Sequence, residues 1–439
     1  MSDNPTSMNL ASAALSHGQA VGLPALEVHV EQTKTWRVEW QAATGGEPQS
    51  KAPASAAHVT LRAHGGDGRT ALCETGFTDV ADLHRLVDEL RDALKQALVT
   101  PHEGLAARFE RPASGLGIFD RRQASIEDAD RQGVVEENVE DAASVPGVKP
   151  LGFTYTEVLS DRAVASSAGA SVSEASTRYM LHGKVEFGDH AVEQSVQSRI
   201  FADAASLPLG ADLARQASQY RGGVAVPTGA RPVVIDPRVS ARLMEAVLPA
   251  FDRRRMEAGE SFVTMGRRVG SERLHAIDDA QMPGGFRSRA FDVRGVPSLD
   301  LPLIREGVVG ALYQDTVLAR ALDGRSSGHE GVAGVWPGNL VLRAGTRSRN
   351  MIFSDLGPFL LLDDLIPGAP ACDLQTGQLK LRGHFFSGSG SDDLQYVGVH
   401  TITTTFVDLW MGIIEVANDQ QRHGAIDVST WIVDGLTVG

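Results

Sequence analysis

Several residue groups in this 439-residue chain are of types that can do chemistry, and most have a simpler use. The acidic pairs Asp278-Asp279, Asp363-Asp364 and Asp392-Asp393 could hold calcium, yet capping of loop backbones is the commoner role of such residues. The 13 histidines are scattered. The nearest two, His58 and His64, stand six apart, outside the spacing of local metal pairs. Ser387-Gly-Ser389-Gly-Ser391 has the letters of a nucleophile elbow, but no base is predictable beside it, so a flexible loop is expected. Gly222-Gly223 follows Arg221 with no Walker lysine after it, which excludes a phosphate-cradling loop. Cys73 and Cys372 lie about 300 residues apart without a Cys-x-x-Cys, which excludes a disulfide scaffold and a Cys-rich zinc module. One further carboxylate, Glu245, lies between Met244 and Pro249 in the segment 232–249. A thioether is a soft donor suited to copper(I), and a proline ring has no nitrogen to give. Zinc needs imidazole, thiolate or carboxylate donors, normally three in a catalytic site.

The elements that would position these groups are legible in part. Residues 26–40 alternate apolar and polar, as a half-buried strand or hairpin does. His58–His64 reads as another strand, ended by the turn residues Gly65-Gly66-Asp67-Gly68. Leu83, Leu86, Val87, Leu90, Leu94 and Leu98 fall at helical spacing, with Thr78 or Asp79 as N-cap, and His84 beside the stripe reads as a surface residue. Residues 126–148 are rich in Asp and Glu and predict a solvated helix or an acidic linker. From 151 to 203 alternating runs around a turn at Ser166–Gly169 predict an antiparallel meander, and 205–222 a helix. A second half follows Gly229-Ala-Arg-Pro232: a short buried strand, Val233-Val234-Ile235, and a helix from about Pro237 that should kink or stop at Pro249.

Residues 232–249 resemble the zinc helix of the TldD/PmbA (TldE) metallopeptidase family, whose catalytic members carry His-Glu-x-x-x-His there. Met244 and Pro249 occupy the two His positions and only Glu245 remains. The resemblance continues in order through Ile277–Phe286 with its Pro283-Gly284-Gly285, Phe291–Pro297, Leu303–Tyr313, Trp336–Gly345 and the final Val433–Gly439. It covers about 230–439 well and 20–200 only by pattern. By themselves these pieces read as turns: Gly284 and Gly295 need positive φ, and Glu306-Gly307 joins two apolar strands.

The resemblance implies an α+β fold. A mixed N-terminal α/β domain (1–225: sheet plus helix over 20–125, the acidic segment, then meander and helix over 149–225) would precede a C-terminal domain over 226–439. That second domain would be strand-rich and largely antiparallel, and would carry the degenerate helix. In catalytic relatives a Cys near the C-terminus completes the zinc site. Two residues five apart lie ~140° around a regular helix, so a π-type bulge would have to bring the two His together. Here no Cys follows Cys372, and in Asn418–Asp427 only His423 could stand in. Glu245, with no metal water to polarise, should be a surface or salt-bridged residue. The chain is therefore expected to hold no catalytic residue, no metal and no cofactor, with zinc carried by a TldD-like partner in a heterodimer that cleaves unfolded or ribosomally made peptides. Two alternatives stand beside this. One is an independently active metallopeptidase or natural-product tailoring enzyme with rearranged ligands. The other is a homodimeric peptide-binding scaffold.

Composition sets the remaining limits. A net charge of −14 argues against a nucleic-acid surface. Hydrophobic and charged fractions of 42% and 22% are those of a globular protein. The opening residues lack the basic and apolar regions of a signal peptide, and no apolar run approaches the ~20 residues that span a bilayer. A cytoplasmic protein without nucleic-acid or membrane partners is the expectation.

Overall fold

A computed structural model describes residues 5–106, 113–223, 226, 231–390 and 392–439. The first strands are β1 (Ala25–Gln41), β2 (Gln49–His64), β3 (Thr70–Gly76), β4 (Val148–Ser166), β5 (Ser171–Phe187) and β6 (His190–Ser198). They form one antiparallel sheet in the order β3-β2-β1-β4-β5-β6. Next come β7 (Val233–Ile235), β8 (Ala276–Asp279), β9 (Leu301–Arg305), β10 (Val308–Val309), β11 (Glu330–Gly331), β12 (Gly334–Val335) and β13 (Asn339–Leu342). The last are β14 (Phe359–Leu365), β15 (Ala371–Cys372), β16 (Gln378–Gly388), β17 (Gln395–Thr405), β18 (Ile413–Val416), β19 (Gln421–His423), β20 (Ile426–Val428) and β21 (Trp431–Val433). Two larger sheets result, β10-β9-β8-β13-β20-β19 and β15-β16-β14-β7-β21-β18, with β17 on β16. Most pairings are antiparallel; β13 with β20 and β14 with β7 are parallel. The α+β class and the largely antiparallel second half agree with the sequence reading. No described helix is long and apolar enough to cross a membrane.

Helices cover one face of the first sheet. Helix α1 (Ser7–Ala20), which the apolar spacing did not reveal, packs with α2 (Val80–Leu94) on β1 and β2. Asp79 caps α2 by accepting the N–H of Asp82, and Leu83, Leu86, Val87, Leu90 and Leu94 are buried. Leu98 is a correction: it lies beyond the helix, which ends at Leu94, and is exposed. His84 is half-buried and stacks on His17 at 4.2 Å. The acidic segment is not a linker. It forms α3 (Asp128–Ala143), which buries Arg131, Val134, Val135, Asn138 and Ala142 against β4 and α5 (Leu209–Gln219, after the short α4, Phe201–Ala205), while its acidic residues occupy the outer face.

The opposite face of the first sheet meets the second half of the chain across buried arginines. Arg162 donates to the carbonyl of Phe291 at 2.7 Å, Arg199 to those of Gly285 and Ser288 at 3.2 and 3.0 Å, and Arg294 to Glu27 at 2.7 Å. Gly295 sits in this contact at φ 79°, where an added Cβ would lie 3.1 Å from Val164. The turn Glu306-Gly307 has φ 49° and 73° and joins β9 to β10, as the sequence indicates.

Candidate functional site

Helix α6 (Pro237–Val247) follows the buried strand β7, with Asp236 as N-cap and Pro237 in its first turn, where a missing N–H costs nothing. Its residues alternate between core and cleft as 100° per residue requires. Arg238, Arg242, Glu245 and Pro249 are spaced i, i+4, i+7 and i+11 and make one outward stripe. Met244 faces the other way. It is 0% exposed, inside the main apolar core with Leu243, Val247 and Phe251. The helix runs regularly to Val247, and Pro249 opens a 3₁₀ turn over Leu248–Phe251, so the helix stops where its sequence predicts.

Three cavities join along this stripe. One of about 930 Å³ is lined by Gln216, Asp236, Arg238, Asp363, Tyr396 and His423, among others. The next, about 470 Å³, shares Arg238 and His423 and adds His182, Arg242, Glu245 and Arg287. The third, about 560 Å³, shares Glu245 and Arg287 and reaches Pro249, Val335 and Trp336. Edge strands bound this cleft: β6 contributes Gln194 and Ser195, β19 contributes Gln421 and His423, and among the described residues no further strand pairs with either free edge.

Charges within the cleft are largely spoken for. Arg238 donates to Asp236 at 3.1 Å and to Asp363 at 2.9 Å, and Arg349 to Asp236 at 3.1 Å. Arg242 reaches Asp364 at 3.2 Å and the carbonyl of Leu365 at 2.7 Å. Burial raises the Asp236 carboxyl, but Arg238 and Arg349 outweigh it and hold it below the usual range. Asp363 and Asp364 therefore need correcting: they lie within β14, buried and ion-paired, and cap no loop. Asp278 is likewise a buried hub, accepting from Tyr313 at 2.5 Å and Gly338 at 2.7 Å. Asp393 does cap a loop, taking the N–H groups of Ser389 and Gly390 at 3.0 and 2.8 Å. Ser387 and Gly388 belong to β16, which corrects the loop expected there, while Ser391 lies outside the described residues.

Tyr396, which lines the large cavity, meets His384 Nδ1 through its Oη at 2.9 Å, and the His384 ring stacks on Tyr220 at 3.9 Å. Burial and the neighbouring His190 push His384 down to about 4. The fold thus favours the neutral ring, and the stability this implies is intact above the unfolded value of 6.5 and is lost as pH falls toward 4. At about pH 5 the loss should reach ~2 kcal/mol. Urea midpoints at about pH 7.5 and 5 measure it, and the decline should be shallower in His384→Gln.

The motif positions do not fit zinc. The Met244 thioether is sealed in the core, Pro249 has no donor, and Glu245 is held by Arg287 Nη2 at 2.6 Å with its side chain 49% exposed. His423 and His182 share the middle cavity with Glu245, yet among the described residues no three His, Cys, Asp or Glu side chains group as metal donors. Inspection of motifs missed the Arg238–Asp363 and Arg242–Asp364 pairs, although the spacing of Arg238, Arg242 and Glu245 was a readable sign of a polar helix face.

Residues 228–439 match the sequence model of the PmbA/TldA metallopeptidase C-terminal domain. A metalloprotease of Methanothermobacter thermautotrophicus is 25% identical over 233 residues, 51% of this chain and 49% of that protein. The chain thus spans about half the length of the known relatives it matches. Among solved structures, TldE from Thermococcus kodakarensis superposes with a TM-score of 0.85 at 16% identity, covering 98% of this chain and 100% of that one. A Thermotoga maritima protein described as a modulator of a DNA gyrase superposes at 0.86, with 17% identity and coverage of 98% and 99%. These superpositions establish a shared fold.

Proposed function

We propose that this chain, whose residues 228–439 match the PmbA/TldA metallopeptidase C-terminal domain, is a non-catalytic, TldE-like subunit. It pairs with a TldD-like subunit that carries the zinc, and the two enclose a cavity for unfolded or ribosomally made peptides. One observation carries the reading: at the motif, the side chains that face the cleft are a proline and an ion-paired carboxylate, and the third faces the core. The free edges of β6 and β19 suit an extended peptide, whose main-chain hydrogen bonds make recognition tolerant of sequence.

The test is co-expression with a His-Glu-x-x-x-His protein encoded nearby. A stable complex that hydrolyses casein, with about one zinc per complex and none on this chain alone, is expected. Tight zinc and hydrolysis by the lone chain would establish an independent peptidase instead. Failure to pair with any such protein would leave the homodimeric scaffold.

Glu245→Gln should lower the activity of the assembled complex less than tenfold. A general base lost at this position would cost ~100-fold or more. Steady-state hydrolysis by the variant complex decides between them.

A further inference from the structure

Arg287 and Arg255 give the vestigial site a second use. Arg287 is anchored through its backbone N–H, which donates to Asn339 Oδ1 at 2.9 Å, and its guanidinium spans the junction of the 470 and 560 Å³ cavities. Glu245 engages Nη2 alone; among the described residues Nε and Nη1 have no partner. Arg255 lines the same 560 Å³ cavity, and its side chain has no hydrogen bond or ion pair among the described residues. Asp252, beside it, turns an oxygen to the backbone N–H of Arg254 at 2.9 Å, capping the short helix Arg253–Glu257. The same cavity is also lined by the apolar side chains of Leu248, Pro249, Val335 and Trp336. Trp336 is fixed in place, with the guanidiniums of Arg162 and Arg289 4.8 and 4.6 Å from its ring centroid.

We propose that this junction binds the C-terminal carboxylate of a peptide whose last side chain is apolar. A guanidinium with free N–H groups presents the fork that pairs with a planar carboxylate. An acidic side chain could supply the same group. The apolar lining of the 560 Å³ cavity favours the chain terminus, because there the carboxylate and an apolar side chain leave the same residue. This inference rests on the reading of the cleft as a peptide site, and adds which end of the peptide it holds.

Fluorescence anisotropy of the full-length chain tests it with three labelled peptides: Ala-Ala-Ala-Leu as the free acid, the same peptide as its amide, and Ala-Ala-Ala-Asp as its amide. The free acid should bind about tenfold or more tightly than either amide, the scale of one charge-assisted contact. Arg287→Gln should remove that preference, and Arg255→Gln should reduce it, with thermal midpoints near that of the parent because both side chains reach solvent. Equal binding of acid and amide, no binding of either, or a preference that survives in Arg287→Gln overturns the proposal. Tighter binding of the Asp peptide assigns the fork to acidic side chains and also overturns it. None of these outcomes bears on whether the chain pairs with a zinc subunit, which co-expression reads separately.

Discussion

Replacing Arg294 by Ala should destabilise the protein by about 3–5 kcal/mol, the cost of leaving a buried charge without its partner. Glu27, on β1, is almost wholly enclosed, and its carboxylate accepts Arg294 Nε at 2.7 Å, Nη2 at 3.2 Å and the N–H of Ala106 at 3.1 Å. Arg62 comes no closer than 3.8 Å and cannot take over this fork. Burial pushes the Glu27 carboxyl up, but Arg294, the Ala106 N–H and Arg62 together hold it below 4.5. A depressed carboxylate contributes stability that is present above its unfolded value and is lost as pH falls through the folded one. The parent should therefore weaken in acid below about pH 4.5, and Arg294→Ala should show less of that slope. Urea unfolding gives the magnitude. In the double variant Glu27→Gln, Arg294→Met most of the loss should return, because no unpaired ion is left. A loss below about 1 kcal/mol in Arg294→Ala would mean that this link between the first sheet and the second half holds little.

Restoring the motif with Met244→His and Pro249→His should yield neither bound zinc nor hydrolysis, and should cost about 3 kcal/mol of stability. An imidazole at position 244 would point into the apolar cluster of Leu243, Val247 and Phe251, at the cost of burying a polar ring there. One at 249 would face the cleft on the other side of the helix, about 140° around the axis. No bulge brings the two together, since α6 is regular to Val247. Metal content by mass spectrometry, casein hydrolysis and the urea midpoint read the three effects. One zinc per chain with measurable hydrolysis would show that the helix can rotate its two positions to a common side.

The motif helix was legible because it depends on neighbours in the chain. Asp236-Pro237 starts it, Pro249 stops it, and the 3.6-residue period assigns its faces. Helix α2 was legible for the same reason, with Asp79 as cap and five leucines and valines on one side. Helix α1 was not, because apart from Leu10 its buried face is made of serine, alanine and glycine, which give little contrast with the exposed one. The acidic run 126–148 was half legible: its charge was plain, but the buried pair Arg131–Glu157, which joins α3 to β4, spans 26 residues. Asp363-Asp364 looked like turn residues and proved to be strand residues, since the arginines that permit their burial lie more than 120 positions earlier.

By itself, then, the sequence determined what the chain lacks at the motif and where the local elements begin and end. Donor chemistry and helix periodicity are properties of a residue and its near neighbours. Only the tertiary structure decided that Met244 is sealed in the core, that Glu245 is tied to Arg287 from a turn 42 residues away, and that β6 and β19 leave their edges along one cleft. Those facts arise from packing between segments distant in the chain, where burial, charge pairing and strand order are set jointly by partners that no local pattern contains.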